Sequence, residues 1–84
     1  MTQNLPILYS ALGCSFCEQT KAFLHSHLVK FEERDVDERT EFLQEAEMLG
    51  NRWLPILKYG EAVLVGPNET ELREFLLQHQ LFSC

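Results

Sequence analysis

The sequence predicts an α/β domain with a four-stranded mixed sheet flanked by three helices, in the order β-α-β-α-β-β-α. Apolar residues recur at helical spacing between Ser15 and Leu28, after a short apolar strand. Two further apolar segments, 56–59 and 62–65, flank Gly60-Glu61, which is typical of the tight turn of an antiparallel hairpin. The strand-helix-strand unit in the first half of the chain predicts a parallel pair of strands. One mixed sheet covered by helices accommodates this parallel pair and the antiparallel hairpin.

The size and charge of the chain limit the number of domains and the kinds of partner that we expect. Its 84 residues allow one domain, over residues 1–84. The formal net charge of −6 repels phosphate, so no nucleic-acid partner is expected. The segment 1–4 is short and polar, and no apolar run approaches the ~20 residues of a membrane span. We therefore expect a cytoplasmic protein that does not associate with a membrane. We further expect it to act as a monomer.

The first half of the chain predicts two strands around one helix. Leu5–Tyr9 forms the first strand, with Pro6 tolerated at its start. The helix over 15–28 turns one face inward, and that face carries Cys17, Leu24 and Leu28. Val29–Val36 is so highly charged that we expect it at the edge of the sheet.

The second half predicts two capped helices on either side of the hairpin. Asp37 is expected to cap a helix that ends at Gly50. Its inward residues are Phe42, Ala46 and Leu49. Asn68, with Glu71 three residues later, resembles a capping box that opens the last helix. The inward residues of that helix are Leu72, Phe75 and Leu76.

The chemistry is carried by a Cys-x-x-Cys pair at the start of the first helix. Cys14 lies beside the free N–H groups of the helix start, which stabilise a thiolate, so it is the expected nucleophile. Cys17, one turn later, can attack the resulting mixed disulfide and release the reduced product. The pair therefore predicts thiol-disulfide exchange.

A metal site is the alternative use of such a pair. A structural zinc site needs two more ligands. The remaining candidates are poorly placed, because His25 and His27 point to different faces of a helix, His79 lies in the last helix and Cys84 ends the chain. No bound metal is expected, and Cys84 is expected to be dispensable.

These features together resemble the glutaredoxins, and so imply a thioredoxin-like fold. The resemblance covers nearly the whole chain and is carried by Cys14-Ser15-Phe16-Cys17, Leu54-Pro55 before the hairpin, and Val65-Gly66 before the capped helix. It implies a cis Leu54-Pro55 bond beside the cysteines. It also implies that the backbone of Leu54 receives the substrate. The implied substrate-binding residues are Phe16, Trp53, Leu54, Pro55, Gly66, Asn68 and Glu69.

The sequence departs from the family where the family binds glutathione. Glutaredoxins commonly have a Lys where this chain has Ala11, and a second Gly where it has Pro67, which has no N–H to offer. Lys21 or Arg52 could partly replace the missing charge. We therefore expect glutathione to be the reductant, but an inefficient one.

The resemblance leaves alternatives open. One is a glutaredoxin-like electron donor of the type that serves ribonucleotide reductase and is recharged by thioredoxin reductase. Others are a protein that joins two Cys14 thiolates across an iron-sulfur centre, and a zinc-binding module. The expected substrate is a disulfide of a protein or of glutathione, without a bound cofactor.

Overall fold

The computed structural model describes residues 5–49 and 54–81. The strands are β1 (Ile7–Ser10), β2 (Glu32–Asp35), β3 (Ile56–Tyr59) and β4 (Ala62–Val65). The helices are α1 (Ser15–Ser26), α2 (Thr40–Met48) and α3 (Glu69–Gln78). The predicted element order and mixed four-stranded sheet are confirmed. No helix in these ranges is long and apolar enough to cross a membrane.

The sheet has the order β2-β1-β3-β4, which leaves the charged β2 at an edge as expected. β1 pairs with β2 in parallel and with β3 antiparallel, and β3 pairs with β4 antiparallel. Because β1 lies between two strands, three of its four residues are buried. The end of β1, which leads to the cysteines, is therefore held from both sides.

Each face of the sheet has its own apolar cluster, because side chains alternate along a strand. Leu8 and Leu57, opposite each other in register, lie on the face covered by α1 and α3. Tyr9 and Ile56, the next pair, lie on the face covered by α2. The inward residues predicted for α3, Leu72, Phe75 and Leu76, are all buried. The fold thus has three layers, with α1 and α3 on one side and α2 on the other.

The end of α1 differs from the prediction. Leu28 has a φ of +59° and is 71% exposed, whereas the helical pattern placed it inward. The amides of Leu28 and Val29 donate to the carbonyls of His25 and Leu24, which is the Schellman arrangement that ends a helix. The helix stops at Ser26, and Val29 enters the core instead of Leu28.

The start of α2 also differs from the prediction. Arg39 occupies the cap position, and its side chain makes no capping hydrogen bond. Asp37, the expected cap, lies too early in the chain. Its carboxylate accepts a hydrogen bond from the amide of Leu12 instead. The predicted stop at Gly50 lies outside the described residues.

Glu33 links the edge strand to the rest of the fold. It accepts hydrogen bonds from the buried Ser10 hydroxyl at 2.7 Å and from the Lys21 ammonium at 2.9 Å. The Ser10 bond, followed by the Lys21 bond, holds the pKa of the Glu33 carboxyl below its ordinary value. A carboxyl with a lowered pKa stabilises the fold above its unfolded-state pKa, and that contribution disappears as the pH falls through the folded-state value.

We therefore predict that Glu33→Gln lowers the free energy of unfolding at pH 7 but has little effect in acid. The loss should stay under about 1 kcal/mol because the carboxylate is partly exposed. Urea unfolding at a series of pH values measures the difference, which should shrink below about pH 4.3, the ordinary glutamate pKa. Glu38→Gln, at an exposed carboxylate, is the control. A difference that persists undiminished in acid would contradict the prediction.

Candidate active site

The two cysteines lie at the start of α1 and form a disulfide, with their Cα atoms 5.2 Å apart. Cys14 is the N-cap residue of the helix, with an extended backbone. The amide of Cys17 donates to the Cys14 sulfur at 3.1 Å, and the amide of Glu18 donates to the Cys14 carbonyl at 3.1 Å. The sulfur of Cys14 therefore occupies the place that a Ser or Asp oxygen takes in an ordinary helix cap.

The two sulfurs differ in access. Cys14 is half-buried, whereas Cys17 is fully buried under the first turn of α1. This is the orientation that the helical pattern predicted for Cys17. A substrate can reach a partly exposed sulfur and not a fully buried one, so the exposure agrees with Cys14 as the expected nucleophile, which stays a prediction.

Leu54 and Pro55 face the cysteines from the start of β3. Their peptide bond is cis, as the resemblance implied. The carbonyl oxygen of Leu54 lies 4.0 Å from the sulfur of Cys14. The carbonyl of Pro55 is already used, because it accepts a hydrogen bond from the amide of Gly66 at 2.8 Å. No backbone hydrogen bond joins Leu54 to another of the described residues.

A groove of about 280 Å³ lies between α1 and the start of α3, and it begins at Phe16, a residue between the two cysteines in the chain. Its lining includes four of the residues expected to bind substrate, Phe16, Gly66, Asn68 and Glu69, together with Gln19, Thr20, Phe23, Pro67 and Leu72. Phe16 is 68% exposed and forms an apolar rim. Trp53, also expected there, lies outside the described residues. The helical spacing that put Gln19, Thr20 and Phe23 on α1 was visible in the sequence, but their shared groove with α3 was not.

The polar groups at the start of α3 are largely engaged within the protein. The side-chain oxygen of Asn68 accepts from the amide of Glu71 at 2.8 Å, and the Glu71 carboxylate accepts from the amide of Asn68 at 3.0 Å. This is the predicted capping box, confirmed. The Glu69 carboxylate pairs with Arg73 at 2.9 Å. The Asn68 side chain and the Glu69 carboxylate, both in the lining of the groove, are thus engaged within the protein.

The cations near the groove are also engaged. Lys21, which the sequence suggested as a replacement cation, pairs with Glu18 at 2.7 Å and Glu33 at 2.9 Å. Arg73 lies over the ring of Phe23 at 6.0 Å and pairs with Glu69. Arg52 lies outside the described residues. No lining residue of the groove is basic.

Residues 5–49 and 54–81 contain no group of three or more His, Cys, Asp or Glu side chains placed to hold a metal ion. Each of the three histidines packs against an aromatic ring. His25 packs against Phe31, His27 against Phe23 and His79 against Phe75.

The fold and the cysteine pair define a thiol-disulfide oxidoreductase of the thioredoxin-like class. The sequence model of the glutaredoxin family matches residues 7–63, so the chain belongs to the glutaredoxins. The glutaredoxin-like protein NrdH of Lactococcus lactis subsp. lactis is 29% identical over 65 residues, which cover 77% of this chain and 90% of that protein. NrdH of Lactococcus lactis subsp. cremoris matches to the same extent.

Solved structures agree on the fold. A glutaredoxin from Archaeoglobus fulgidus superposes with a TM-score of 0.73 at 25% identity, covering 89% of this chain and 96% of that one. A glutaredoxin from Brucella melitensis gives 0.70 at 26% identity, covering 93% and 88%. NrdH-redoxin from Escherichia coli gives 0.72 at 22% identity, covering 83% and 93%.

We predict that the two cysteines have different roles. Cys14→Ser should abolish exchange, because the accessible sulfur is lost. Cys17→Ser should keep the first attack and accumulate a mixed disulfide, because the buried resolving sulfur is lost. Mass spectrometry after incubation with a disulfide peptide measures the adduct, and Cys84→Ser is the control that should behave like the unmodified chain. An adduct on Cys17 in the Cys14→Ser protein would reverse the assignment.

Proposed function

We propose that this glutaredoxin is a dithiol electron donor to protein disulfides that is recharged by a thioredoxin reductase rather than by glutathione. The observation that carries the proposal is the groove that begins at Phe16, whose lining holds Glu69 and no basic side chain. Glutathione carries two carboxylates, and this lining offers them no unpaired cation, since Arg73 is paired with Glu69. The glutathione reductant expected from the sequence becomes the second candidate.

The exposed rim of the groove suits a protein substrate. Phe16, which lines the groove, is 68% exposed. An extended protein segment needs little enclosure, because its backbone can pair with the peptide edge of Leu54 as a further strand.

The exchange then runs in two balanced steps. The Cys14 thiolate attacks one sulfur of the substrate disulfide, the Cys14–substrate bond forms, and the other substrate sulfur leaves as a thiolate that takes up a proton. The Cys17 thiolate next attacks the Cys14 sulfur, which closes the intramolecular disulfide and releases the second substrate thiol. Two electrons and two protons pass to the substrate, and the dithiol of a thioredoxin reductase returns them.

The NrdH relatives are consistent with this proposal. The Lactococcus lactis relatives are glutaredoxin-like by name. The Escherichia coli NrdH-redoxin is described as having a thioredoxin-like activity profile, although at 22% identity its likeness extends only to the fold. The proposal therefore rests on the groove of this chain.

The test is to supply electrons from each source in turn. We expect reduction of a protein disulfide such as insulin to proceed with NADPH and thioredoxin reductase, and to be slow with glutathione, glutathione reductase and NADPH. Consumption of NADPH at 340 nm measures both rates. Brisk turnover with glutathione alone would overturn the proposal and restore glutathione as the reductant.

A gain-of-function variant tests the physical reason. Gln19 lines the groove and is exposed, and its side chain makes no hydrogen bond among the described residues, so Gln19→Lys adds a cation without removing a side-chain hydrogen bond. We expect glutathione-dependent kcat/KM to rise about 2- to 5-fold, the effect of one exposed ion pair. Gln44→Lys on α2 makes the same charge change away from the groove and should have no effect. An equal rise in both variants would assign the effect to net charge.

A further inference from the structure

A hydrogen bond joins Asp37, in the segment after β2, to the loop that precedes Cys14. The amide of Leu12 donates to the Asp37 carboxylate at 3.0 Å, across 25 positions in the chain. Asp37 is itself fixed, since its amide donates to the side chain of Asp35 at 2.8 Å. The amide of Val36 also donates to the carbonyl of Ser10 at 2.8 Å. The segments that leave β1 and β2 therefore run side by side.

The loop over 11–13 has little else to hold it. Leu12 and Gly13 form a turn, and the Asp37 carboxylate is the one side chain that the described residues give as a hydrogen-bond partner of this backbone. The side chain of Leu12 is 79% exposed and so contributes almost no packing. Gly13 has a φ of +73° and nothing within 4 Å of the position of a Cβ. Only Ala11 touches the apolar cluster on the α2 face.

This loop ends at Cys14, whose backbone must keep the cap geometry for its sulfur to receive the Cys17 amide. We infer that Asp37 is a positioning residue for the nucleophile, because its carboxylate fixes the loop that sets the orientation of Cys14. A loosened loop would let the sulfur leave the cap and lose the hydrogen bond that stabilises its thiolate. The inference rests on the proposed function only in taking Cys14 as the nucleophile.

Two substitutions separate this role from a plain charge effect. Asp37→Asn keeps an oxygen that can accept from the Leu12 amide but removes the negative charge. Asp37→Ala removes both. Loss of a nearby negative charge alone favours a thiolate, whereas loss of the cap geometry disfavours it, so the two causes act in opposite directions.

The measurement is the rate of alkylation of reduced Cys14 by iodoacetamide as a function of pH. Each substitution is made in a Cys84→Ser background, and peptide mass spectrometry confirms the modified residue. We expect Asp37→Ala to move the midpoint of the profile to higher pH and to slow alkylation at pH 7 about 3- to 10-fold, the effect of one lost hydrogen bond. Asp37→Asn should leave the midpoint in place or move it lower.

Glu38→Ala removes a neighbouring exposed carboxylate and should change nothing. Circular dichroism and thermal unfolding establish that each variant is folded at the assay temperature. Equal shifts to lower pH for Asp37→Ala and Asp37→Asn would show a charge effect and overturn the inference. An unchanged pH profile in Asp37→Ala, with or without a lower Tm, would overturn it as well. The assay uses no reductase or glutathione, so its result does not depend on which reductant serves the protein.

Discussion

The hydrogen bond from the amide of Cys17 to the sulfur of Cys14 is the interaction on which the site depends. It joins two residues one helical turn apart at 3.1 Å, and it makes a reactive atom part of the cap of α1. A helix start leaves several amides without internal partners, and an anionic sulfur satisfies one of them. The same turn buries Cys17 completely. One element thus caps the sulfur that we predict to attack and buries the one that we predict to resolve.

The parallel pairing of β1 and β2 explains how distant residues meet at this cap. Parallel strands end at the same edge of the sheet, so the loops that follow them are neighbours. The register that sets Ser10 opposite Asp35 places Asp37 beside Leu12. On the other side, antiparallel pairing of β1 with β3 brings Leu54 to within 4.0 Å of the sulfur of Cys14. The sheet therefore positions the site from two directions.

Local patterns made most of this fold predictable, and long-range partners made the rest unpredictable. The box of Asn68 and Glu71 was visible because its two bonds join residues three apart. The burial of Cys17 followed from helical spacing. The end of α1 was missed because Leu28, rather than a glycine, takes the positive φ, and no short-range signal marks such a residue. Asp37 was predicted to cap α2 because Asp is a common cap residue just before a helix. Its actual partner, the amide of Leu12, lies 25 positions away, and no local pattern indicates such a bond.

The negative charge of the chain is compatible with a thiolate at Cys14. Repulsion from distant carboxylates is screened by salt, whereas the hydrogen bond from the Cys17 amide acts at direct contact. Exposed charges farther apart than about 8 Å are largely screened at physiological salt. The Cys17 amide meets the sulfur directly at 3.1 Å, where no solvent intervenes. Several carboxylates near the site are also occupied, since Asp37 and Glu71 bind backbone amides and Glu69 pairs with Arg73. The net charge of −6 also acts at longer range, on approaching molecules, and it leaves the direct hydrogen bond at the sulfur in place.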